Sequence, residues 1–212
     1  MSSMSGAKLL TIEFEEPGKF ESDTDLAAAA ADGDGNARRV LVDRLLDRVG
    51  ITVRCLAAGD PDADDYVQDV FIEILNSIGN FKREGSLERW AERVAVRVTM
   101  RRLKKRVFRA KIVSQDSDCE GQIEGPSDDL TLTRDRVWRR IIAALETINP
   151  ERRLVVVLRL VLGCSINEIA AQTAMKPNTV RDRLKVGRAQ LREAFFDDPV
   201  LAVLAEDIGA IK

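Results

Sequence analysis

The stretch Ser165–Arg192, SINEIAAQTAMKPNTVRDRLKVGRAQLR, decides how the rest of the chain is read. Ile166, Ile169 and Ala170 give its first half an apolar stripe at helical spacing, and Ser165 stands where an N-cap belongs. Thr173-Ala174-Met175-Lys176 breaks that pattern. Pro177 then occupies a first helical position, where its fixed φ fits and its missing N–H costs nothing. Beyond it Val180, Leu184 and Leu191 face inward, while Arg181, Arg183, Lys185, Arg188 and Arg192 stay outside. A short packed helix supporting a basic second helix is the helix-turn-helix way of placing side chains in a DNA major groove. An ordinary helical hairpin with a solvated charged face is the competing reading.

Composition extends the helical reading to the whole chain. Aromatics are 5% of 212 residues, and strand-like alternation is scarce, so the expected class is all-α, divided into two small domains. The net charge of −2 conceals segregated blocks. Every ionisable residue from Arg97 to Lys111 is basic, and every one between Ser114 and Leu130 is acidic. Local blocks therefore say more about partners than the net charge does. The chain has no histidine, and Cys55, Cys119 and Cys164 are scattered, which excludes the usual zinc spacings and offers no disulfide framework. Cys55 and Cys164 read as buried small apolar residues. The longest apolar run, Leu154 to Cys164, is interrupted by Arg159, so no membrane insertion is expected and the chain is placed in the cytoplasm.

In chain order, residues 1–24 read as a poorly ordered lead, and residues 25–112 as a first helical domain. Within that domain, Asp62 to Ile78 has the cleanest periodicity. Tyr66, Val67, Val70, Phe71, Ile74, Leu75 and Ile78 form its apolar face, and Asp62, Asp65, Gln68, Asp69 and Glu73 form the other. By itself such an acidic face is a solvated one, and its aspartates also suit the positive end of the helix dipole. The glycine-flanked loop GNFKREG, 79–85, exposes Phe81, Lys82 and Arg83, and Ser86 caps a long helix lined by Arg89, Arg93, Arg97 and Arg101. An aromatic loop beside an arginine-lined helix suits single-stranded nucleic acid, with bases on rings and cations along phosphates. The competing reading makes Phe81 and Trp90 core. Residues 113–133 read as a flexible acidic linker, 134–196 as a second domain, and 197–212 as a tail with a possible short helix. The β-branched run VVVLRLVL favours a strand by propensity, but its Asn149-Pro150 start and Gly163 stop decide for helix.

Three segments carry a family resemblance. DADDYVQDVFIEI, from Asp62, resembles the DAEDLVQEVF signature of bacterial sigma factors in their second region. SLERWAERVAVRVTMRRLKKR, from Ser86, resembles the stretch that follows it. INPERRLVVVLRLVLGCSINEIAAQTAMKPNTVRDRLKVGRAQLREAF, from Ile148, resembles the family's fourth region. The presence of these two regions alone resembles the extracytoplasmic-function (group IV) layout.

The resemblance implies a factor that binds core RNA polymerase and directs promoter-specific initiation, with no catalysis and no cofactor of its own. It implies that Asp62, Asp65, Gln68, Asp69 and Glu73, with Phe71 beside them, dock on the β′ clamp helices. Asn80, Phe81, Lys82 and Arg83 would capture flipped bases of the minus-ten strand, and Arg89, Arg93, Arg97 and Arg101 would hold its backbone. Asn178, Thr179, Arg181, Asp182, Arg183, Lys185 and Arg188 would read or position the minus-thirty-five element. The β flap, promoter DNA and an anti-sigma factor are the further implied partners. Four residues depart from the family pattern. Arg97 and Arg101 replace an expected Asn and Asp, Ala174 replaces the turn glycine, and Gly187 interrupts the recognition helix. A stand-alone helix-turn-helix regulator would explain Ser165–Arg192 but would leave the Asp62 helix and Phe81 loop without purpose. An enzyme is excluded by the absence of histidine, nucleophile elbow and phosphate loop.

Overall fold

Eight helices and one 3-10 turn form the regular structure of the described residues, and no strand occurs among them. The computed structural model describes residues 20, 22–82, 85–113 and 129–203, with side chains for all of these except 107–113 and 129–135. The lead to residue 19, Arg83, Cys119 and the end of the tail from residue 204 lie outside the described residues.

The first half holds α1 (Asp23–Ala31), α2 (Gly35–Leu56), α3 (Ala63–Ser77), a 3-10 turn (Ile78–Asn80) and α4 (Leu87–Val113). Capping explains where these elements begin. The Ser22 side chain accepts from Asp25 N, and Asp34 from Asn36 N and Ala37 N, so α1 opens at Asp23 and α2 at Gly35. At α4 the expected Ser86 hydroxyl accepts from Arg89 N at 3.3 Å, and Asp23 on α1 accepts from Leu87 N at 3.0 Å. Asp23 also pairs with Arg44 at 2.8 Å, which ties α1, α2 and α4 together. Leu41, Leu45, Val49, Val70, Ile74, Leu87 and Val98 make a core that excludes solvent almost completely.

The second half holds α5 (Asp129–Glu146), α6 (Pro150–Leu160), α7 (Ile166–Thr173) and α8 (Pro177–Phe196). The Val155-Val156-Val157 run is helical and wholly buried, because Asn149 caps α6 through Glu151 N and Pro150 opens it. Ser165 and Glu168 form a reciprocal capping box at the start of α7. Ala174 ends α7 in the left-handed region, φ 55° and ψ 29°, a conformation that costs a non-glycine residue about 1–2 kcal/mol. Gly187, which lowers helix propensity, is buried at the α6–α8 crossing. A Cβ there would sit 2.7 Å from Val156 Cγ2 and 3.3 Å from Arg152 Cβ. Its role is therefore close helix approach.

Two expectations need correction. The segment read as linker, 113–133, is helical at both ends, since Val113 closes α4 and Asp129 opens α5. Of the acidic residues in that segment, Asp129 lies in the first turn of α5, where it suits the positive end of a helix dipole, and the others lie outside the described residues. The halves are also not separate bodies. Cys55, Leu56 and Ala58 at the end of α2, and Val96 on α4, belong to the same buried cluster as Ala144, Ile148, Leu154, Leu158 and Ile169. Cys55 and Cys164 are both buried free thiols in that cluster, and burial pushes the Cys55 thiol up to about 12. After α8, the Asp198 carboxylate accepts from Val200 N and Leu201 N, turning the chain so that Leu201 is fully enclosed.

Candidate functional site

The acidic side of α3 and the facing side of α4 enclose a groove of about 380 Å³. Asp62, Asp65, Gln68, Asp69 and Ile72 form one wall, and Arg102, Lys105 and Arg106 the other. Asp62 is the N-cap of α3 without a side-chain cap bond, and Asp65 and Gln68 are exposed. Asp69 is half-buried and pairs with Arg102. Asp60, just before the helix, accepts from Tyr66 Oη at 3.0 Å and pairs with Arg106. Phe71 points the other way, half-buried against the first core. The exposed apolar side chain of this face is Ile72, 58% exposed, which the sequence reading passed over. Its signal was present: it lies seven residues after Asp65 and four after Gln68, on the same helical face.

Glu73 connects this face to the arginine row of α4. It pairs with Arg97 at 3.3 Å and Arg101 at 3.8 Å, although both arginine side chains are more than 60% exposed. Such solvent-screened pairs contribute little, about 0–1 kcal/mol, so both arginines remain available to a competing anion. The other end of the row faces the second half. Arg89 donates through Nη1 to the Leu162 carbonyl at 3.0 Å, and Arg89 and Arg93 both act electrostatically on the Glu168 carboxylate.

The loop before α4 differs from its reading. Phe81 is half-buried and meets Trp90 edge-on, with ring centroids 6.0 Å apart and planes at 68°. Both rings pack on the first core, so the aromatic is not presented as a free stacking platform. Asn80 and Lys82 are exposed, and Arg83 lies outside the described residues.

On α8 the candidate side chains share an open face. Asn178, Arg181, Asp182 and Lys185 are exposed, Thr179 and Arg188 are half-buried, and Asn178 Oδ1 accepts from Arg181 Nη1 at 2.8 Å. That bond holds the guanidinium beside the helix start, where a recognition helix meets base edges. Arg183 is different. It is turned back to α6, pairing with Glu151 and contacting Met175 Sδ at 3.0 Å. Its helical position suggested an outward arginine, and a carboxylate from another helix redirected it.

With both surfaces placed, comparison with known proteins becomes informative. The Sigma-70 region 2 model matches residues 41–109, and the Sigma-70, region 4 model matches residues 138–191. The ECF RNA polymerase sigma factor SigX of Bacillus subtilis is 32% identical over 161 residues, covering 70% of this chain and 82% of SigX. The chain belongs to the ECF RNA polymerase sigma factors. SigE of Mycolicibacterium smegmatis, in the same family, is 32% identical over 154 residues and 72% of this chain, which spans 59% of SigE. The sigma factor RpoE of Bartonella quintana, solved with the anti-sigma factor NepR, shares the fold. It superposes with a TM-score of 0.53 at 19% identity, over 74% of this chain and 94% of that one. The α3 groove and arginine row lie in region 2, and the α8 face lies in region 4.

Proposed function

We propose that this ECF sigma factor recruits core RNA polymerase through the α3 groove and reads promoters through α4 and α8. The observation that carries the reading is the chemistry of α3. A stand-alone DNA-binding protein has no use for Asp62, Asp65 and Gln68 exposed around a bare Ile72, whereas a basic helical partner does. A central apolar contact ringed by charges is the usual anatomy of a protein–protein hot spot. On the DNA side, Arg181 offers bidentate geometry for guanine, and Asp182 can accept from cytosine. Lys185 and the α4 arginines supply phosphate contacts that set register and strand affinity. An anti-sigma partner of the kind solved with RpoE fits the same apolar and acidic α3 surface, which it would compete for with polymerase.

The test is run-off transcription with core polymerase and a library of host promoter fragments. Asp65→Arg and Arg181→Ala are the informative variants, because among the described residues neither Asp65 nor Arg181 forms an ion pair across the fold. Both should lose promoter-specific transcripts, Asp65→Arg by losing polymerase and Arg181→Ala by losing the promoter. A wild-type chain that ignores polymerase yet shifts duplex DNA alone would replace this reading with that of a stand-alone regulator.

A further inference from the structure

Arg183 uses both prongs of its guanidinium inside region 4. Nη2 pairs with the Glu151 carboxylate on α6, and Nη1 donates to Met175 Sδ in the turn before α8 at 3.0 Å. Glu151 is placed by the start of its own helix, where its N–H donates to Asn149 Oδ1 at 3.0 Å. Seven residues after Arg183, Gln190 Oε1 accepts from Arg152 Nη1 at 3.3 Å. Residues two helical turns apart share a face, so α8 presents two polar rungs to the first turn of α6.

Between the rungs is Gly187, against which α6 packs so closely that a Cβ would meet Val156 Cγ2 at 2.7 Å. Contact with bare backbone sets how near the two helices come. It leaves α8 without a side-chain ridge at the crossing to fix its angle, and the rungs supply that restraint. The lever is long. Asn178 lies nine residues before Gly187, about 13 Å along a helix axis. Swinging α8 by about 5° about the crossing displaces its first turn by about 1 Å, roughly twice the spread of N–H···O distances in hydrogen bonds. Ala174 in the preceding turn holds a left-handed conformation, which a non-glycine residue keeps only where surrounding contacts hold it. Arg183 supplies such a contact at Met175, the next residue.

We infer that Glu151 and Arg183 are positioning residues that set the seating of the recognition helix, and so its base discrimination, without touching DNA. The inference rests on the reading of α8 as the promoter-reading helix. Arginine is needed rather than lysine, since a single ammonium nitrogen does not occupy both Nη positions of the planar fork. The Glu151 side chain is 67% exposed, so solvent screening leaves the pair little weight in overall stability. Its effect is on orientation. Without the pair, Asn178, Arg181 and Asp182 keep their chemistry and lose their aim.

The test uses the full-length chain and a randomised duplex library, with and without core polymerase. Enrichment of the best-bound sequences over the pool reads discrimination, and anisotropy on the unselected pool across a salt series reads phosphate contacts. Arg183→Ala, Arg183→Lys and Glu151→Gln are each expected to lower enrichment about tenfold, within the range of one bidentate base contact. All three should keep native helicity and the wild-type salt slope. The inference is overturned if Arg183→Ala shallows the slope by about one, or if Arg183→Lys retains wild-type enrichment, since either marks a direct phosphate contact. It is equally overturned if the variants lower the melting temperature but not enrichment, which marks a purely structural pair, or if the wild type enriches no sequence. The polymerase arm is read separately. Enrichment by a chain that binds no polymerase removes the sigma-factor reading, and the same variants still judge the seating of α8.

Discussion

Regions 2 and 4 carry similar arginine-rich helices in very different states. Along α4, Arg89 donates to the Leu162 carbonyl of region 4, and Arg97 and Arg101 pair with Glu73. On α8 Arg181 is held by its neighbour Asn178, and Arg183 is diverted to another helix. The difference is that Arg97 and Arg101 of α4 face a carboxylate on the neighbouring α3, whereas Arg181, Asp182 and Lys185 of α8 are exposed.

The comparison can be broken most forcefully at Gly187. Gly187→Ala forces a methyl onto Val156 and should destabilise the α6–α8 pair by about 1–3 kcal/mol, read as a lowered urea midpoint. Because the region 4 cluster includes Cys55, Leu56 and Val96, the loss should be felt at a region 2 probe such as Trp90 fluorescence as well. A transition confined to region 4 would show that the shared cluster does not couple the halves.

Smaller and sharper is the salt dependence of DNA binding. Lys185→Ala should shallow the slope of log affinity against log salt by about one, as loss of one phosphate contact does. Arg97→Ala should shallow it by less in the free protein, since Glu73 already accounts for part of that charge. With Glu73→Gln as background, the Arg97→Ala effect should approach that of Lys185→Ala. Equal slopes without that change would mean that the Glu73 pair does not matter.

The smallest effect concerns pH. The Ser165 N–H and hydroxyl hold the Glu168 carboxyl below the usual glutamate range. A lowered folded value means the capping box stabilises above the unfolded glutamate pKa and is lost as pH falls through the folded one. Acidification below the ordinary glutamate range should therefore loosen α7 selectively, seen as faster amide exchange there, while Glu168→Gln should flatten the dependence.

Much of this protein was legible without coordinates. Ser165 capping, Pro177 at a helix start, Asn149-Pro150 opening α6 and the apolar stripe of α3 are local rules, in which a residue and its neighbours within one turn settle the outcome. The two surfaces followed as well, since period 3.6 places Asp65, Gln68 and Asp69 together whatever lies beyond them. The deviations arose where a distant partner competes. Phe81 was drawn onto Trp90, Arg183 onto Glu151, and Gly187 turned from an apparent flaw into a contact point for Val156.

The sequence by itself determined the helices, their caps, the order of the two regions and which residue types face outward, because those depend on backbone geometry and periodicity. Only the tertiary structure decided that the regions share one buried cluster, that Arg153 crosses between them and that Arg89 donates to the Leu162 carbonyl. Those contacts join residues as far apart as Ala58 and Arg153, or Arg89 and Leu162, and no local period encodes which carbonyl a buried guanidinium will find.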